Sequence, residues 1–136
     1  AETMDVVEMV LTGRTNNEIV SLLNQAGGLA VGLDGKDGNL FHARQITTED
    51  GVNIGHVGEI THVNTKIITT MCNNGIIPVI APVATDPQGG TWNINADTAA
   101  GEVAAALKAE KLVFLTDTPG ILRNPPDVDS LIRQLR

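Results

Sequence analysis

Residues 75–84 read GIIPVIAPVA, and that near-continuous apolar run constrains the fold more than any other stretch of the chain. A strand with one face in water alternates apolar and polar side chains, so a run without alternation needs cover on both faces. At about half the ~20 residues of a membrane helix, it is too short to cross a bilayer. Cover on both faces in water means helices packed on the two sides of a sheet, an arrangement whose strands are mostly parallel.

The rest of the chain supplies those helices and strands. From Glu2, Met4, Val6, Val7, Val10 and Leu11 recur at helical spacing until Thr12-Gly13 interrupts them. Thr15-Asn16-Asn17-Glu18 has the form of a capping box opening a second helix, with Ile19, Leu22 and Leu23 as its stripe and Gly27-Gly28 as its stop. LAVGL (29–33) reads as a buried strand, DGKDG (34–38) as a turn and NLFHARQI (39–46) as the return strand of a hairpin. HVGEITHV (56–63) alternates as another strand, and Asn64 to Asn74 is a helix closed by Gly75. TDPQGG (85–90) is a turn. A helix runs from Asp97 to Leu107, KLVFLTD (111–117) is a further buried strand, and DSLIRQLR (129–136) begins a helix. The expected architecture is α/β, a three-layer αβα sandwich with a largely parallel central sheet, in one partial domain spanning 1–136. Both ends read as cut, so the chain is expected to be the middle of a longer one.

Chemistry concentrates at NINADTAAG (93–101). In an extended segment Asn93, Asn95 and Asp97 project to one side. The small residues that follow place Asp97 at or beside a helix N-terminus, where free N–H groups attract acceptors. A polar row fixed beside a helix start is a ligand platform or an Asp N-cap preceded by edge amides. TDTPG (116–120) follows a buried strand directly, where open α/β sheets place ligands, or it is a Pro-Gly turn. Adjacent parallel strands would bring Asp117 to the same sheet edge as Asp97, and two polar sites on one edge suggest two substrates.

Several chemistries are excluded. Sixteen acidic against nine basic residues, net charge −7, leave no basic patch for nucleic acid or an anionic membrane. Cys72 stands alone, so there is no internal disulfide and no cysteine metal cluster. His42, His56 and His62 lack partners at metal-ligand spacing, and no metal site is assigned. Ser21 and Ser130 are not in a nucleophile elbow, and no strand is followed by a G-x-G-x-x-G turn. In GLDGKDG, Lys36 precedes Asp rather than Ser or Thr, which favours a turn over a phosphate loop.

NINADTAAGEVAAALKAEKLVFLTDTPGIL resembles the acetylglutamate kinases of arginine biosynthesis, within the amino-acid kinase superfamily. TMDVVEMVLTGRTNNEIVSLLNQAGGLAVGLDGKDGNL, HVGEITHVN and NGIIPVIAPV match that family in order and spacing. Asp97, its small neighbours and the strand ending in Thr116-Asp117 form the superfamily-wide part; NINAD, GKDG and VGE narrow the resemblance. It implies phosphoryl transfer from ATP, with Mg2+, to the side-chain carboxylate of N-acetyl-L-glutamate. Asn93 is expected to hold the acetylglutamate with Asn95 beside it, and Asp97 to organise catalytic lysines. Thr116, Asp117, Thr118, Pro119, Gly120, Ile121 and Leu122 are expected at the nucleotide. The resemblance puts the family's two phosphate-stabilising lysines and its phosphate-cradling glycine pair in segments outside this sequence, and none of Lys36, Lys66, Lys108 or Lys111 matches the lysine motifs, so the isolated chain is expected to be inactive. The resemblance further implies a homodimer through the first helix, or a hexamer of dimers. The wording is closest to cyanobacterial and plastid members, which implies arginine and a PII signalling protein as regulators and a cytoplasmic or stromal location. The rival readings are a kinase of a related amino acid, such as carrier-linked aminoadipate, and a non-catalytic regulatory module on the kinase fold.

Overall fold

The computed structural model describes residues 2–47, 50–51 and 53–134. Its first helix is one element where the sequence predicts two. α1 (Glu2–Glu8) passes through a π-helical segment (Met9–Thr15) into α2 (Asn16–Gln25), with helical backbone at both joins. The Thr12 hydroxyl donates to the Glu8 carbonyl at 2.7 Å. A side chain competing for that acceptor widens the turn, so the Thr-Gly interruption changes the helix pitch without ending it. The expected capping box is absent, because Thr15 is itself helical and makes no side-chain cap bond; Glu18 pairs instead with Arg14 at 3.3 Å.

β1 (Ala30–Asp34) pairs in parallel with β4 (Ile77–Ala81), Gly32 opposite Val79. α2 covers one face of this pair. The buried Asn16 reaches across it, Nδ2 donating to the carbonyls of Leu33 at 3.2 Å and Val79 at 2.9 Å. Only glycine admits this approach, since a Cβ on Gly32 would lie 2.0 Å from Asn16 Oδ1. From the other face Leu33 and Ile80 enter the main apolar cluster, with Ile67 and Ile68 of α3 (Thr65–Asn73) and Ala99, Val103 and Leu107 of α4 (Ala96–Leu107). The cover on both faces required by the apolar run is therefore present.

The remaining strands form a second, four-stranded sheet that closes on itself in the order β2 (Phe41–Thr47), β3 (Asn53–Val63), β6 (Thr91–Asn93), β5 (Val83–Thr85). β2–β3 and β5–β6 are antiparallel, and the closing pairs His42–Thr85 and Val57–Asn93 are parallel. The predicted β1–β2 hairpin does not form, since each strand pairs elsewhere. DGKDG is a junction between the two sheets: Gly35 N–H donates to the Val83 carbonyl at 2.8 Å, and Lys36 bridges to Glu8 of α1 at 2.6 Å. The apolar run itself divides at Pro82 between the two sheets; Pro82 donates to neither ladder, and its carbonyl accepts from the Ile94 N–H at 2.9 Å.

KLVFLTD is the largest departure from expectation. Residues 111–117 form no strand and are exposed, Leu115 at 96%. β6, the strand expected beside them, is flanked by β3 and β5, which occupy both its edges. The terminal DSLIRQLR forms no helix beyond the end of a 3-10 turn (Val128–Ser130), after which Leu131 bridges Leu122; residues 135 and 136 lie outside the described residues.

Candidate functional site

The β6–α4 junction carries Asn93, Asn95 and Asp97, but not as one alternating row. Asn93 ends β6 half-buried, Ile94 turns into the core at 2% exposure, and Asn95 is the N-cap of α4. The Asn95 Oδ1 accepts from the Thr98 N–H at 2.9 Å and the Thr98 hydroxyl at 3.1 Å. The cap is therefore Asn95, not Asp97, and helix geometry begins one residue too early for Asp97 to continue the extended row. Asp97 sits exposed in the first turn, where the helix dipole favours a carboxylate.

Asn93 lines a mostly apolar cavity of about 300 Å³ with Met4 and Val7 of α1 and Gly55, His56 and Val57 of β3. The α1 helix thus closes over the end of β6. Next to Asn93, the Trp92 indole lies above Gly58, where a Cβ would stand 2.7 Å from that of Trp92. The indole also faces the His56 ring, centroids 5.8 Å apart. Its Nε1 donates to Asp86 Oδ2 at 2.9 Å. The other Asp86 oxygen accepts from the N–H groups of Gln88 at 2.9 Å and Gly90 at 2.8 Å. These bonds, the Gly90 N–H first and the indole second, hold the Asp86 carboxyl below its ordinary range. Sequence reading passes TDPQGG over as a turn; an Asp followed by Gly-Gly and a tryptophan is the signal that points to this arrangement.

The second predicted group, Thr116 to Leu122, lies in an exposed loop. The Thr118 N–H donates to Thr116 Oγ1 at 3.3 Å, the Ile132 N–H to the Ile121 carbonyl at 2.8 Å, and Leu122 bridges Leu131. The sheet-edge meeting of Asp117 with Asp97 through adjacent strands does not occur. His42 and His62 face each other across the β2–β3 ladder with centroids 6.0 Å apart. Asp34, beside Asn16 in a polar recess, has its carboxyl raised chiefly by burial. No helix among the described residues is long and apolar enough to cross a membrane.

Comparison with known proteins sets this geometry in context. The model of the amino acid kinase family matches residues 1–136. The chain is 63% identical over 97% of its length to an acetylglutamate kinase of Nostoc punctiforme, covering 43% of that protein. It is 56% identical over 98% of its length to one of Porphyra purpurea, covering 46%. The chain thus spans under half the length of the curated relatives it matches. Among solved structures, that of smu.665 from Streptococcus mutans UA159 matches with a TM-score of 0.80 at 32% identity, over 90% of this chain and 49% of that one. N-acetylglutamate synthase from Neisseria gonorrhoeae, complexed with coenzyme A and N-acetyl-glutamate, matches with a TM-score of 0.68 at 32% identity, over 82% of this chain and 24% of that one.

Proposed function

Since the chain belongs to the amino acid kinase family, we propose that it forms the central part of an ATP-dependent N-acetylglutamate kinase acting in arginine biosynthesis. The observation that carries the proposal is the 56–63% identity to acetylglutamate kinases over nearly the whole chain. The binding of N-acetyl-glutamate by a solved neighbour of the same fold supports the acceptor.

The chemistry follows from the acceptor. A side-chain carboxylate with a reference pKa of about 4.3 is ionised at neutral pH, so no base is required. One carboxylate oxygen bonds to the γ-phosphorus as the bond to the β–γ bridging oxygen breaks, giving an acyl phosphate and ADP. Positioning and charge neutralisation are what a protein adds to such a transfer. In this reading Asn93 binds the acceptor at the mouth of the α1–β3 cavity, and Asn95 keeps its amide N–H groups for the acceptor while its oxygen caps α4. Asp97 orders cationic groups at the α4 N-terminus; facing a triphosphate directly, it would repel it. Thr116 to Leu122 offer two hydroxyls, backbone N–H groups and one carboxylate, and no Lys or Arg. That donor set fits the uncharged base and ribose of ATP and leaves the phosphates to cations outside this stretch. Bound Mg2+ would neutralise phosphate charge.

The exposed side chains of Val6, Met9, Val10, Ile19 and Leu22 on the first helix support a homodimer as the assembly. The cyanobacterial and red-algal sources of the similar kinases support arginine and a PII signalling protein as regulators, and the cytoplasm or plastid stroma as location.

Hydroxylamine trapping of the acyl phosphate tests the function. The full reading frame carrying the chain is offered N-acetylglutamate, glutamate, aspartate and N-acetylaminoadipate with MgATP, beside the 136-residue chain. Trapping with N-acetylglutamate alone, by the full frame alone, is expected. Preference for another acceptor overturns the substrate, and no trapping with any acceptor favours a non-catalytic module.

A further inference from the structure

We infer that Asp86 is a positioning residue for the acceptor, acting through the Trp92 indole on His56, which lines the Asn93 cavity; the inference rests on the acceptor reading above. Three observations converge on it. Asp86 divides its two oxygens, Oδ1 to the backbone N–H groups of the β5–β6 turn and Oδ2 to the Trp92 Nε1–H. Gly90 leaves room for that division, since a Cβ there would lie 2.4 Å from Oδ2. Trp92, so anchored, lies over Gly58 and against His56, while its chain neighbour Asn93 lines the same cavity as His56.

An indole hydrogen-bonded at one edge and packed over a glycine has its rotation about Cα–Cβ fixed. Residues 56 and 58 share a face of β3, so the indole that seats on Gly58 also backs His56. Without the Oδ2 contact the indole N–H is left without its acceptor, and the ring is free to shift toward solvent. The His56 side of the cavity then loses its backing, while the β3 and β5 ladders on either edge of β6 still hold Asn93 in place. Asp86 touches neither acceptor nor nucleotide in this account. Its effect therefore belongs to acceptor binding and not to the transfer step.

Asp86→Asn isolates the contact. The amide oxygen keeps the two backbone bonds, and the NH2 group then meets the indole N–H donor to donor. In the full-frame enzyme this variant is expected to raise the KM for N-acetylglutamate about tenfold, the equivalent of one lost hydrogen bond. The kcat and the KM for ATP stay within about twofold. Trp92→Phe, which removes the donor, is expected to raise the same KM comparably. Asp86→Asn added to Trp92→Phe should then change it by less than about twofold, because no indole N–H remains to be satisfied. If Asp86→Asn fails to fold, Trp92→Phe alone carries the same split between KM and kcat. An unshifted acceptor KM, a loss confined to kcat, an equal shift in the KM for ATP, or additive effects in the double variant would each overturn the inference. A wild-type enzyme that fails to phosphorylate N-acetylglutamate overturns the acceptor reading itself, whereas an active wild type with unshifted variants overturns only the role of Asp86.

Discussion

Asn95 shows how far single residues could be read in advance. The spacing of NINAD correctly places Asn93 and Asn95 in extended backbone around a buried Ile94, and it correctly brings a helix in directly behind them. What spacing could not give is the identity of the cap, because Asn and Asp are near-equal N-caps and only the backbone decides which residue stays non-helical. Asn95→Ala is expected to cost about 1 kcal/mol in urea denaturation, with Asn95→Asp close to neutral. Asp86 is passed over for a different reason: DPQGGTW reads first as a turn, and its partner Trp92, six residues on, meets it only once the β5–β6 turn has formed. Its depressed carboxyl has a pH signature. A group whose folded value lies below its ordinary 3.8 contributes stability above that value and loses it as pH falls through the folded one. Acid titration of the folded fraction should therefore be shallower below about pH 4 in Asp86→Asn than in the unaltered chain.

At the scale of elements, existence was more legible than partnership. β1, β3, α3 and α4 lie where periodicity and stop signals put them, because those signals are local. The β1–β2 hairpin failed because a short turn between two strands does not itself say that they pair; Gly35 instead bonds to Val83, far along the chain. The Thr-Gly break failed as a helix end because a π-helical segment absorbs it. Packing between elements is sharpest where α2 crosses the β1–β4 pair. Gly32→Ala should drive a Cβ into Asn16 and cost about 3 kcal/mol. Asn16→Ala in the same chain should return part of that loss, a sign reversal that equilibrium unfolding of the double variant can read.

Across the whole molecule, the apolar run at 75–84 yields the helical cover it demanded, but the sheet it enters is not one sheet. A parallel pair with helices on both faces is joined at Pro82 to a small closed sheet, and the family membership of the chain follows from its full length rather than from any single motif. KLVFLTD has the composition of a buried strand, and composition does not supply a neighbour. With Leu115 96% exposed, Leu115→Ser is expected to change the unfolding free energy of the 136-residue chain by less than about 0.5 kcal/mol. A loss of several times that would place the segment in the core. The closed sheet also has a temporal meaning. Its two antiparallel pairs join neighbours in the chain, whereas His42–Thr85 and Val57–Asn93 close loops of roughly forty residues, and loop-closure entropy is met before such contacts stabilise anything. The two hairpins are therefore expected to form before the contacts that join them, and the pocket beside Asn93, which needs both β3 and β6, is expected only at that later step.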